Sequence, residues 1–236
     1  MHVKLLAELT AARAGRRAAV LVTEMETGAQ RLVFGDALDG DPLEEAVRFS
    51  LARGRSGTLE TEAGRVFLTA HVPPPRIVVI GAVHISQALA PMARIAGYDV
   101  TIIDPRTAFA TPERFPETTV IAKWPDEALK EVPLDAFTAL AALTHDPKID
   151  EPAIEAALAA GCFYVGALGS RRTHAKRVER LLARGLSAEQ IGRIHAPIGL
   201  DIGAASPQEI AVSVLGQIIG ALRKGAPAPA KAEVAA

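Results

Sequence analysis

The stretch Arg76-Ile77-Val78-Val79-Ile80-Gly81-Ala82-Val83-His84-Ile85-Ser86 decides the fold. Ile77–Ile80 is an unbroken apolar run, the composition of a parallel strand covered on both faces. Gly81 follows at once, and Ser86–Ala96 then carries apolar residues at helical spacing. Strand, glycine turn and helix open a βαβ unit. The turn resembles the phosphate-binding G-x-G-x-x-G with only its first glycine kept. Val83 stands where the second glycine normally lets a backbone approach a pyrophosphate, and Ser86 stands at the third. The helix N-terminus still offers free N–H donors to an anion, so Gly81, Val83 and His84 are candidate binding positions.

Downstream the same rhythm continues. Val100–Ile103 is a second apolar run, and Ala136–Leu143 is a third after the helix-like segment Asp126–Glu131. Asp150 with Pro152 reads as the start signal of a helix whose face is Ile154, Ala157 and Leu158. Phe163–Val165 is a further strand, and Arg171–Leu182 a helix with Ser170 as N-cap. Ser206-Pro207-Gln208-Glu209 is a capping box opening a helix to about Leu222. Strands alternating with helices predict an α/β fold with a Rossmann-like, mostly parallel sheet.

Upstream, Pro73-Pro74-Pro75 lacks N–H donors and breaks both helix and strand. Before it, Ala18–Thr23 and Arg31–Phe34 read as strands joined through Thr27-Gly28, Pro42–Ala52 as a helix and Arg65–Ala70 as another strand. The expected organisation is a small N-terminal α+β domain (1–72), a proline linker (73–75), a Rossmann-like C-terminal domain (76–224) and a disordered tail (225–236).

Composition limits the partners. Lys+Arg is 26 and Asp+Glu is 27, a net charge of −1, which argues against nucleic acid because phosphate backbones need a cationic surface. The single cysteine, Cys162, cannot form an intrachain disulfide or a Cys-rich zinc site, and it opens a buried strand as an inert core thiol. The six histidines form no ligand motif, so no metal site is expected. No apolar run approaches the roughly 20 residues that span a bilayer, and charges interrupt the N-terminal stretch. The expectation is a soluble cytoplasmic protein without membrane contact.

In an open parallel sheet, ligands sit outside the carboxyl ends of the strands. Asp104 ends the second strand about 20 residues after Gly81, where an acidic residue accepts a ribose hydroxyl, and Arg106 beside it can meet a phosphate. Thr144 and His145 end the third strand and can bind a ligand or move a proton. Gly169, Ser170, Arg171 and Arg172 converge on a helix N-terminus, where a bound anion would offset two arginines opposed to the helix dipole. Asp201 and Gly203 lie in a glycine-bounded loop before the last helix. Five such turns on one sheet edge predict a single crevice for a negatively charged guest.

These motifs resemble the XdhC/CoxF/CoxI family. The residues that carry the likeness are the Gly81–Ser86 turn, Asp104-Pro105-Arg106 with Phe109–Pro116, Thr144-His145, Gly169–Thr173 and Gly199–Ser213, spanning about 76–222. Where many relatives resemble GAGHVG, this chain reads GAVHIS, and residues 1–72 contain neither of the family's GSSPRPxG-like and GGC-like segments. The resemblance implies a C-terminal Rossmann domain in an accessory protein for molybdenum hydroxylases such as xanthine dehydrogenase or carbon monoxide dehydrogenase. It implies a chaperone that binds molybdenum cofactor (molybdopterin or its dinucleotide form) rather than a turnover enzyme, so no catalytic residue is assigned. The implied partners are the apo molybdenum hydroxylase and a cysteine desulfurase, and a homodimer is compatible with the family. Two alternatives remain at this point. One is an NAD(P)-dependent oxidoreductase with His145 as acid/base, against which Val83 stands. The other is an interaction module that uses the Thr107–Pro116 loop.

Overall fold

The computed structural model describes residues 3–224, so the tail 225–236 lies outside the described residues. The chain divides into two compact units, one of Met1–Pro73 together with the chain from Arg223 onward, and one of Pro74–Leu222.

In the first unit, β1 (Ala19–Glu24), β2 (Gln30–Phe34), β3 (Gly57–Thr61) and β4 (Gly64–His71) form an antiparallel sheet in the order β2-β1-β4-β3. Helix α1 (Val3–Ala14) precedes the sheet and α2 (Glu44–Arg53) joins β2 to β3. Val20, Val22, Val47, Leu51 and Leu68 make its core. Two of these elements carry little sequence pattern. Helix α1 buries only Leu9 and Ala12, and the edge strand β3 has Leu59 as its one large apolar residue.

The second unit holds six parallel strands: β5 (Arg76–Ile80), β6 (Asp99–Ile103), β7 (Thr119–Ile121), β8 (Thr138–Ala142), β9 (Tyr164–Ala167) and β10 (Ile194–His195). Their order is β10-β9-β8-β5-β6-β7. Counted from β5, the chain lays three strands to one side and then returns to lay three on the other. The direction therefore reverses between β5 and β8, and that is the topological switch point of a Rossmann sheet. Side-chain alternation along β5 explains its unbroken apolar run. Ile77 and Val79 pack under α3 (His84–Ile95) and α8 (Pro207–Lys224), while Val78 and Ile80 pack under α4 (Pro125–Glu131), α5 (Pro147–Ala159), α6 (Arg171–Ala183) and α7 (Ala188–Gly192). Cys162 is 1% exposed in this second core, where burial pushes its thiol up to about 12.

One helix start differs from the sequence reading. Helix α5 is capped by Asp146, whose carboxylate accepts from the Lys148 amide at 2.9 Å, with Pro147 at the first position. Pro152 lies inside the helix, and Asp150, expected near its start, is buried and turned back toward the preceding loop. The Ser206 box forms as expected: the Glu209 amide donates to Ser206 Oγ at 3.2 Å, and the Glu209 carboxylate accepts from the Ser206 amide at 2.8 Å.

Among the described residues, no helix is long and apolar enough to cross a membrane.

Candidate functional site

The carboxyl ends of the strands are stitched together by backbone hydrogen bonds that run past the sheet proper. The Gly81 amide donates to Ile103 O, Leu143 to Ile80 O, Leu168 to Ala142 O and Ile198 to Ala167 O, at 2.8, 2.8, 2.8 and 3.2 Å. The turns after β5, β6, β8, β9 and β10 therefore follow one another along a single edge.

At the switch point two of these turns touch. Gly81 has φ +115°, and a Cβ there would lie 2.8 Å from Thr144 Cγ2. Only glycine satisfies both the backbone and the space. Ser86, fully buried, closes the same turn. Its Oγ accepts from the Val83 amide at 2.8 Å and reaches Gly81 O at 2.6 Å. The hydroxyl at the third glycine position thus holds the turn in shape. Val83 is half-buried and His84 exposed at the start of α3.

Asp104 is fully buried, and both of its oxygens accept intrachain bonds. Oδ1 takes the Arg106 amide and Nε, each at 2.9 Å, while Oδ2 takes the Ala82 amide at 2.8 Å and Arg106 Nη2 at 2.7 Å. Burial pushes this carboxyl up, but Arg106 and the two amides outweigh it and hold it below the usual carboxylate range. Asp104 thus clamps the turn after β5 to the turn after β6. Arg106 lies 4.9 Å from the Phe109 ring centroid. Arg114 adds a second tie, donating to Ala82 O at 3.0 Å, Phe109 O at 2.9 Å and Gln87 Oε1 at 3.1 Å.

The turn after β8 is organised by Asp150. Oδ1 accepts from Thr144 Oγ1 at 2.8 Å and from the Thr144 amide at 3.2 Å, and Oδ2 from the His145 amide at 3.0 Å. These bonds hold exposed His145 at φ +65°, a left-handed conformation that costs a non-glycine residue about 1 kcal/mol. Burial raises Asp150 to about 6, against the lowering by Thr144 and the field of Arg177.

The turn after β9 passes over Arg177, which is 3% exposed. Its Nη2 donates to Leu168 O at 3.0 Å, while its buried Nη1 has no hydrogen-bond partner among the described residues. Burial lowers the Arg177 pKa, with Asp150 and Glu151 opposing. Ser170 caps α6 by accepting from the Thr173 amide at 3.2 Å. Gly169, at φ +130°, lies against Thr173, where an added Cβ would meet Thr173 Cγ2 at 3.0 Å. Arg171 and Arg172 are exposed on the first turn of α6. Pro147, Arg172, Thr173, Lys176 and Arg180 line a cavity of about 380 Å³ between the first turns of α5 and α6. Arg180 also pairs with buried Glu151 at 2.6 Å. Asp201 and Gly203 lie in the exposed part of the loop between β10 and α8.

The structure thus ties Gly81, Asp104, Arg106 and Thr144 to one another through contacts at the switch point. Gly169–Arg172 lie one strand further along the edge and Asp201 two. Three organising residues were missed by the sequence reading: Asp150, Arg177 and Arg114. The first was absorbed into a helix-start signal. The second is hidden among the many cations of α6. Arg114 lay within the Phe109–Pro116 motif, without a signal that it reaches back to Ala82.

A six-stranded parallel sheet in this order, with its turns following one another along one edge, defines a Rossmann-type domain. Residues 77–218 match the family described as XdhC Rossmann domain, and the chain belongs to that family. It is 34% identical over 177 residues to the uncharacterized protein YqeB of Escherichia coli, covering 72% of this chain and 32% of that protein. It is 33% identical over 155 residues to a probable xanthine dehydrogenase subunit of Bacillus subtilis, covering 65% of this chain and 45% of that protein. It is 33% identical over 146 residues to the molybdenum cofactor insertion chaperone PaoD of Escherichia coli, covering 62% and 40% respectively. The chain therefore spans less than half the length of these curated relatives. A solved structure described as a xanthine dehydrogenase from Bacillus halodurans shares the fold, with a TM-score of 0.62 at 21% identity over 94% of this chain and 64% of that one.

Proposed function

We propose that the protein is an accessory factor for maturation of a molybdenum hydroxylase, and that it holds molybdenum cofactor by its anionic phosphate end in the crevice above β5, β8 and β9. Membership of a family with a cofactor insertion chaperone among its relatives supports the role. The single observation that carries the binding reading is Arg177. A buried guanidinium with one nitrogen left unpaired is costly; Nη1 lies below the surface, so a phosphate oxygen relieves that cost only where the turn after β9 opens to admit it. The residues present fit an anion of this kind. Arg171 and Arg172 supply exposed positive charge at a capped helix N-terminus, and the Gly169 turn gives close backbone approach. Gly81, Val83 and His84 at the switch point, with Thr144 and His145 beside them, meet the heterocyclic part, and Asp201 and Gly203 border the far side. Asp104 and Arg106 act from behind, fixing the Ala82 amide. The protein partner on this reading is the apo molybdenum hydroxylase, with a cysteine desulfurase as the source of cofactor sulfur.

Titration with molybdenum cofactor released from a holoenzyme tests the reading. Saturable binding at micromolar protein is expected, weakened at least about tenfold by Arg177→Met and by Arg171→Ala with Arg172→Ala. No binding, or binding indifferent to these changes, would sink it. Tight binding of NADH in the same titration would favour an oxidoreductase instead.

A further inference from the structure

Helix α6 carries more charge than its packing uses. Residues 171–183 hold five basic side chains and one acidic one, Glu179, in a chain whose net charge is −1. Arg177 is buried and Arg180 pairs with Glu151. Arg172 and Lys176 are exposed, and neither side chain has an ion pair or hydrogen bond among the described residues. Arg172, Lys176 and Arg180 recur every four residues, so they share one face of the helix, within about 80° of arc. Like charges at this spacing weaken a helix, and Arg172 in the first turn also opposes its dipole. This face is not flat. With Thr173 and with Pro147 of α5, the three cations line the cavity of about 380 Å³, and no acidic side chain lines it. The acids of α5 are engaged elsewhere. Glu151 pairs with Arg180 and Arg184, Glu155 pairs with Arg184, and Asp146 caps the helix.

Charge and spacing together select the occupant. Arg172 and Arg180 are eight residues apart, about 12 Å along the helix axis. Glu151 holds Arg180 at 2.6 Å, so Arg180 does not swing toward Arg172 to share one small anion. An extended polypeptide presents side chains to one side every second residue, about 6.6–6.8 Å apart, and the three cations follow one another about every 6 Å. Carboxylates on alternate residues of such a segment meet Arg172, Lys176 and Arg180 in turn. A nucleic acid would bring many phosphates against a chain of net charge −1, which offers no wider cationic surface for them. The Arg172 end of the groove adjoins the Gly169–Arg172 turn, so a segment seated there lies beside the crevice. We infer that the groove between α5 and α6 docks an extended acidic segment of a partner protein, a docking that requires no bound cofactor.

Fluorescence anisotropy with the full chain and a fluorescein-labelled peptide of alternating glutamate and serine tests this, with alternating lysine and serine as the control of opposite sign. The acidic peptide should bind with a dissociation constant of about 100 µM or tighter at low salt, and more weakly as salt rises. Lys176→Glu should weaken it at least about fivefold. Circular dichroism should show that variant folded, because a glutamate between Arg172 and Arg180 replaces two like-charge pairs by opposite ones. Lys4→Glu makes the same charge change on an exposed residue of the first unit and should leave binding within about twofold. No cofactor enters this assay, so its outcome is separate from that of the cofactor titration. Absence of peptide binding, equal weakening by Lys4→Glu and Lys176→Glu, or equal affinity for the lysine peptide would each overturn the inference. So would sodium pyrophosphate binding, abolished by Lys176→Glu, in a chain that ignores the acidic peptide, since the groove would then serve a small anion.

Discussion

Asp150 shows how much of this site depends on single buried side chains. Its carboxylate organises the Thr144–His145 turn, yet burial raises it from 3.8 to about 6. A folded-state value above the unfolded one means that the folded chain holds the proton more tightly. Stability from this group is therefore fully present below the unfolded value and is lost as pH rises toward the folded one. Urea denaturation at steps across that interval should show a falling contribution in the wild type, worth on the order of 3 kcal/mol at most, which Asp150→Asn abolishes. Asp104 has the opposite sign. Held below its usual range, it contributes stability that is lost as pH falls. Two carboxylates close to the same switch point thus do different work. Asp104 stays charged and anchors Ala82, while Asp150 is poised near neutrality beside Arg177.

Among the elements, the parts readable from sequence are those whose signal is local. The run Ile77–Ile80 and the box at Ser206 announce themselves because neighbouring residues are enough to define a covered strand or a capped helix. Ser206→Ala should cost about 1 kcal/mol, read as a lowered thermal midpoint, because the Glu209 amide loses its acceptor. The start of α5 is harder. Two prolines and two aspartates fall within its first turns, and only the packed structure decides that Asp146 caps while Asp150 folds back. Strand β10 has two residues and β3 one large apolar side chain, too little for periodicity to register. Arg177 is illegible for a different reason. Nothing local marks one cation of a basic helix for burial, since that depends on the β9 turn passing above it.

For the molecule as a whole, the division at Pro74 carries its own expectation. Residues 74–224 contain both cores of the parallel sheet and every residue proposed to meet the ligand. Expressed alone, this segment should unfold in one cooperative transition and retain cofactor binding within about threefold of the full chain. Loss of binding with the fold intact would move part of the site into residues 1–73.

The contact of Gly81 with Thr144 sets what the crevice can do to its guest. Both loops flanking the switch point already rest on each other, and Arg114 tethers the neighbouring 107–116 segment to the same place. Each of the three is tied down by contacts of its own, which would have to break before it folded over a cargo. On the proposed reading, whatever docks there stays reachable from the side by which it arrived, an arrangement suited to handing a fragile molecule onward rather than transforming it.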